Sequence, residues 1–179
     1  SILGYLIIGV FFPILLFQGM RVKREVPRLP LPKDQPYGIF EGKNKGFTIL
    51  GLGESPMAGV GISKHSLTLT GLTASRLNKL LDFNVKWEIL AENGLTLENL
   101  NKLVSVQYDK NVDLVLVSIG GNDVFRLTTP WLWEKNIFTF IKLLFQKGKK
   151  PLILFSPIPP VGRFPAIPFP LRLAFGFWG

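Results

Sequence analysis

Val112-Asp113-Leu114-Val115-Leu116-Val117-Ser118-Ile119 runs directly into Gly120-Gly121-Asn122-Asp123. The first eight residues are almost continuously apolar and rich in Val and Leu, as a strand covered on both faces should be. Such strands belong to parallel sheets wrapped by helices. The four residues that follow carry strong turn chemistry and end the strand.

The same grammar repeats outward from this stretch. Residues 47–52 are a short apolar run that ends in a Gly-rich turn, and residues 85–90 and 152–155 read as two further strands. Between them, residues 67–81 place Leu69, Leu72, Leu77, Leu80 and Leu81 at helical spacing. Thr96 is a cap for a second helix whose Leu97, Leu100 and Leu103 face one side. Residues 131–146 read as a third. Strand–helix alternation predicts an α/β domain in three layers, a parallel sheet with helices on both faces.

In such sheets the ligand sits beyond the carboxyl ends of the strands. The residues that follow each strand are therefore the ones to read for chemistry: Gly51-Leu52-Gly53-Glu54-Ser55-Pro56, Ala91-Glu92-Asn93-Gly94, Gly120-Gly121-Asn122-Asp123 and Ser156-Pro157-Ile158-Pro159-Pro160. Three of these edges offer the parts of an acyl-transfer site. Ser55 is a hydroxyl at a strand-to-loop turn, where a nucleophile stands exposed. Its own N–H, the N–H of Gly94 and the side-chain amide of Asn122 are donors that could converge on the oxyanion of a tetrahedral intermediate.

These blocks, Gly53-Glu54-Ser55, then Gly94, then Gly120-Gly121-Asn122-Asp123, resemble the SGNH (GDSL-type) hydrolases over residues 47–160. The run Ser156 to Arg172 also resembles the Pro-rich segment of some bacterial members. The resemblance implies a flavodoxin-like three-layer fold and ester hydrolysis without a metal or cofactor. It implies Ser55 as nucleophile, an oxyanion hole of Ser55 N–H, Gly94 N–H and Asn122, and supporting roles for Gly53, Glu54, Gly121 and Asp123. Two positions depart from the family. Its usual Asp in the first block is Glu54 here, which keeps the carboxylate and adds a methylene. Its last block, Asp-x-x-His, which supplies the general base and the residue that orients it, has no counterpart: no Asp follows Asp123 and no His follows His65. The expectation is that this block lies beyond Gly179 and that the domain, residues 47–179, is incomplete.

Each candidate also has a plain structural reading. Ser55 can be a turn serine that caps the next segment, Asn122-Asp123 a loop signal that bonds its own backbone, and Glu54 a structural carboxylate. His65 reads as a surface or capping histidine, and Trp131, Trp133, Phe138 and Phe140 as packing or lipid contacts. Gly51-Leu52-Gly53 is not a dinucleotide fingerprint, because position 56 is proline.

Composition narrows the classes further. The chain has 179 residues, 47% hydrophobic and 18% charged, which excludes a wholly disordered polymer. It has no cysteine and one histidine, so it builds neither a disulfide framework nor a His-rich zinc centre. The net charge is +9. Residues 21–46 hold seven basic side chains against three acidic ones, and no acid follows Glu134. No nucleic-acid-binding pattern accompanies this charge, so nucleic acid is not an expected partner. Basic residues beside an apolar N-terminus favour an anionic membrane instead.

Residues 1–20 carry no charge, and twenty helical residues reach ~30 Å, the thickness of a bilayer's apolar layer. They are expected to form a transmembrane or signal-anchor helix, with the basic side facing the cytoplasm by the positive-inside rule. Residues 21–46, with Pro27, Pro30, Pro32 and Pro36 and several glycines, read as a mobile basic linker. The sequence thus predicts a membrane-anchored ester hydrolase. Its substrate is an acyl or lipid ester near the membrane, or else a glycan O-acetyl group; the competing reading is a non-catalytic, membrane-tethered binding module.

Overall fold

A computed structural model describes residues 2–25, 27, 29–108, 111–146, 150–158 and 160–178, the side chains of 2–8, 23, 177 and 178 apart. In chain order its elements are α1 (Ile2–Glu25), β1 (Tyr37–Phe40), β2 (Asn44–Gly53), α2 (Ser55–Ala58), α3 (Leu69–Leu81), β3 (Phe83–Ala91), α4 (Leu97–Gln107), β4 (Leu114–Ser118), α5 (Gly121–Phe125), α6 (Pro130–Gln146), β5 (Leu152–Phe155) and α7 (Leu171–Trp178). Short 3-10 turns cover His65–Leu67 and Val161–Arg163.

The five strands lie in the order β1-β3-β2-β4-β5. β2 is parallel to both neighbours, with Ile49 opposite Trp87 of β3 and Leu114 of β4. β5 extends the parallel set, with Leu152 opposite Leu114. β1 runs antiparallel along the outside of β3, with Tyr37 opposite Glu88. The sheet is therefore mixed, which corrects the expectation of a purely parallel one. Four residues amid prolines and glycines are too few to show a period of two, and an edge is where such a strand is tolerated.

Side chains alternate between the two faces of the sheet, and so divide the core. Leu50, Leu52, Val115 and Val117 point to one side, where Leu97, Leu100 and Val104 of α4 and Phe140 and Leu144 of α6 cover them. Ile49, Val85, Trp87, Leu114 and Leu116 point to the other, against Met57 of α2 and Ala74 of α3. Thr68 and Thr96 open α3 and α4 by accepting from Gly71 N and Asn99 N.

The segment read as a mobile linker lies against the domain. Proline lacks an N–H but keeps its carbonyl. Pro30 O accepts from Gly61 N at 2.9 Å, and Pro36 O from Ile89 N at 2.7 Å, before β1 begins. The prolines exclude helix, as expected, yet leave an extended strap that docks through its carbonyls.

α1 runs past the expected end of the apolar span to Glu25, with Pro13 inside it. Leu15 is buried against Val124, Val161, Ile167, Leu171 and Ala174. The Gln18 side chain donates to Phe169 O at 2.7 Å and accepts from Leu171 N at 3.1 Å. Among the described residues no helix is long and apolar enough to cross a membrane. The side chains of residues 2–8, the first part of the expected span, lie outside the description.

Candidate active site

The site begins where β2 and β4 stop together. Glu54 N donates to Ser118 O at 2.9 Å and ties the two strand ends. Gly53 holds φ at 149°, and a Cβ there would stand 2.0 Å from Ser118 O, so this approach requires glycine. The chain then turns into α2, with Ser55 as its first residue and Pro56 next. Proline suits this position because the opening N–H groups of a helix have no partner inside it. Ser55 is half-buried.

Ser55 and Asn122 line one pocket of about 130 Å³, together with Glu54 and Gly121. Its apolar walls include Phe125, Ile158, Val161 and Phe164. Wider grooves run along α6 (about 420 Å³) and against the end of α1 (about 480 Å³), but neither is lined by a residue that follows a strand. Among the described residues no three His, Asp or Glu side chains gather as metal ligands.

Glu54 joins the first and third strand-end blocks. It is 6% exposed. One carboxylate oxygen accepts from Gly121 N at 2.8 Å. The other accepts from Asn122 N at 3.0 Å and from the Asn122 side-chain amide. The carboxylate thereby covers the exposed N–H groups that open α5. Burial raises the Glu54 pKa above its usual 4.5, against the Asn122 and Gly121 hydrogen bonds, which lower it. The Asn122 Nδ2 also donates to Leu95 O at 3.1 Å. An amide NH2 has two hydrogens, and in this arrangement both are engaged.

Asp123 anchors the second block. It is 3% exposed, and its Oδ2 accepts from Leu97 N at 3.0 Å, which fixes the start of α4 against α5. Burial raises its pKa above 3.8, against hydrogen bonds from Leu97 and Thr128 and the charge of Arg126. Gly94, at φ 81°, has open space where a Cβ would be, and its carbonyl lies 3.5 Å from Arg126 Nη2. Gly94 is not among the residues that line the pocket. The second block instead touches the site through Leu95 O.

His65 is buried, 8% exposed, which corrects its reading as a surface residue. Its Nδ1 lies 3.0 Å from Asp34 Oδ1, and its backbone N–H donates to both Asp34 oxygens at 3.0 and 3.1 Å. Against desolvation, these bonds lower the Asp34 pKa from 3.8. The pair clasps the Pro-rich strap to the domain and does not line the pocket. The sequence reading missed the aromatic and aliphatic walls from Phe125 and from residues 157–164. The prolines after β5 marked that stretch as a loop without showing that it folds back over Ser55.

No protein-family model matches the chain, and no curated protein matches it in sequence. Solved structures do. AlinE4, an SGNH-hydrolase family esterase, superposes with a TM-score of 0.56 at 24% identity, over 66% of this chain and 63% of that one. TesA gives 0.55 at 22% identity, over 73% and 69%. The lipase Lip_vut3 from a goat rumen metagenome gives 0.56 at 17%, over 74% and 70%. The chain spans less than two thirds of the length of AlinE4. At these identities the shared property is the fold: an α/β sheet flanked by helices, as in the SGNH hydrolases.

Proposed function

We propose that this chain, which carries the fold of the SGNH hydrolases, is a serine ester hydrolase with Ser55 as its nucleophile. One observation carries the reading: Ser55 and Asn122, from the ends of β2 and β4, line a common pocket. The similar structures named as esterases and a lipase support it.

In this mechanism Ser55 Oγ attacks the ester carbonyl carbon, and its proton passes to a general base. The resulting oxyanion is held by Ser55 N–H and by the Asn122 amide, which has to release Glu54 or Leu95 O to donate to it; Gly94 N–H, outside the pocket lining, is the third donor that the family pattern implies. Collapse breaks the ester C–O bond, and the alkoxide takes the proton from the base. Water then repeats the sequence on the acyl-enzyme and frees the acid. The one histidine of these 179 residues is held by Asp34 away from the pocket lining. The reading therefore assigns the base to a group contributed from outside them, the role that Asp-x-x-His fills in the family.

The substrate is an acyl or lipid ester near a membrane, or a glycan O-acetyl group, whose acyl part meets the apolar wall of Phe125, Ile158, Val161 and Phe164. The double engagement of the Asn122 amide supports the competing reading, a binding module that keeps the fold without turnover. The two separate in one assay. A protein that includes the base is expected to hydrolyse p-nitrophenyl acetate. Ser55→Ala should abolish this, and Asn122→Ala should lower kcat by about 10²–10³-fold. Full activity in the Ser55→Ala protein would refute the assignment.

A further inference from the structure

Beside the pocket wall, exposed apolar surface is built by α1 and by residues 169–173. On α1, Leu15 and Gln18 bind the domain, and the other large apolar side chains from Val10 to Met20 are 40–73% exposed, over most of the helix circumference. The helix continues into Arg21, whose Nε pairs with Glu25 at 3.0 Å, and Arg24. Beside it, Phe169 and Leu173 of the α7 region are 69% and 40% exposed. Arg163 and Arg172 belong to the same C-terminal segment, in which no acid follows Glu134. Exposed apolar surface of this extent beside arginines suits a lipid surface, with the long basic side chains reaching the headgroups.

The cluster that holds α1 is also a wall of the pocket. Val161 is buried in that cluster and lines the pocket, and Phe164 packs against the cluster and lines it too. Phe125, another wall residue, meets Phe175 of α7 edge to face at 5.1 Å. Whatever surface receives α1 and α7 therefore lies beside the residues that shape the pocket.

We infer that the outward faces of α1 and α7 together dock the domain in the plane of an anionic lipid surface, with the pocket beside that surface. This goes beyond a single spanning anchor, because it requires the C-terminal segment and negative headgroups. It rests on the ester-hydrolase reading only for what would be delivered; docking itself is read without turnover. The positive charge on both sides of the apolar face selects an anionic bilayer over a neutral one, at about 1 kcal/mol for each basic residue near the surface.

The experiment is co-sedimentation of the chain with vesicles of equal parts phosphatidylglycerol and phosphatidylcholine, and with phosphatidylcholine alone. The expected result is binding to the anionic vesicles, at least about tenfold weaker on neutral ones and weakened by salt. An Arg163→Glu, Arg172→Glu double variant, and separately Leu173→Ser, should each weaken anionic binding, with unchanged circular dichroism showing that they fold. Equal binding to both vesicles, or insensitivity to the C-terminal variants, would mean that α1 alone acts as a charge-independent anchor, and the proposal fails. It also fails if the chain self-associates through this face and ignores vesicles. If docking holds while Ser55→Ala keeps full esterase activity, the docking surface stands and the catalytic reading alone is lost.

Discussion

Glu54 sets two carboxylate oxygens against three N–H donors, and one of those donors is the amide expected to meet an oxyanion. The extra methylene relative to aspartate is what sequence could register. That it carries the carboxylate to Asn122 could not be read, because the reach depends on where β4 ends. Ser55 and Asn122 were legible as candidates because strand ends announce themselves through apolar runs that stop in Gly-rich turns. His65 was misread because its partner, Asp34, lies 31 residues earlier on a strap with no periodic signal. Glu54 also makes the fold sensitive to pH. Its pKa is raised in the folded state, so the folded protein binds the proton more tightly than the unfolded chain does. The stabilisation is full below about 4.5 and is lost as pH rises through the raised value. Asp123 acts in the same direction from 3.8. Glu54→Gln should therefore flatten, without abolishing, the fall in urea midpoint as pH rises above about 4.5. An unchanged slope would show that Glu54 does not titrate in that window.

The strands β2 to β5 and helices α3, α4 and α6 follow from apolar runs and helical spacing, although not every run is buried: Leu69, Leu72, Leu80 and Leu81 of α3 are 45–75% exposed while its Thr70, Gly71 and Ala74 are buried, and Leu152, Leu154 and Phe155 of β5 are 44–61% exposed. Thr96 caps α4 as its position before Leu97 indicated. β1 and the short α2 and α5 were not legible, because four or five residues bury too little to leave a pattern. Their positions come from contacts distant in sequence. The aromatic residues of α6 divide in the same way. Phe140 is buried, whereas Trp131 and Phe138 stand 71% and 66% exposed, with the Lys135 ammonium over the Trp131 ring at 5.8 Å. At the other end, α7 reaches the pocket wall through a backbone approach that side-chain patterns do not encode. A Cβ on Gly162 would stand 2.9 Å from the Gly176 Cα. Gly162→Ala should push α7 off the 3-10 turn at Val161–Arg163, at a cost of about 1–3 kcal/mol. Faster amide exchange confined to residues 171–178 would report it, and unchanged exchange would show that the helix absorbs the methyl.

At the scale of the whole molecule, the ends of β2 and β4 place Ser55 and Asn122 on one pocket, while the one histidine serves the Asp34 clasp. The 179-residue chain by itself is therefore expected to hydrolyse p-nitrophenyl acetate no faster than its Ser55→Ala variant. Added imidazole should restore a slow rate to the Ser55 protein only. Rapid hydrolysis without imidazole would place a competent base within these residues. The α/β architecture was open to sequence analysis because it depends on periodic burial. The membrane relation was less so, because composition shows that residues 1–20 are apolar without showing that Leu15 and Gln18 bind the far end of the chain.

That closure spans 153 residues between Gln18 and Leu171. During translation α1 leaves the ribosome 153 residues ahead of its receptor, a wait of roughly 8–30 s at about 5–20 residues per second. Throughout that interval the nascent helix has no native partner, so a translocating pore, a chaperone or the bilayer meets it before the domain does. The order of synthesis thus gives any such receiver first claim on a helix whose folded partner is made later.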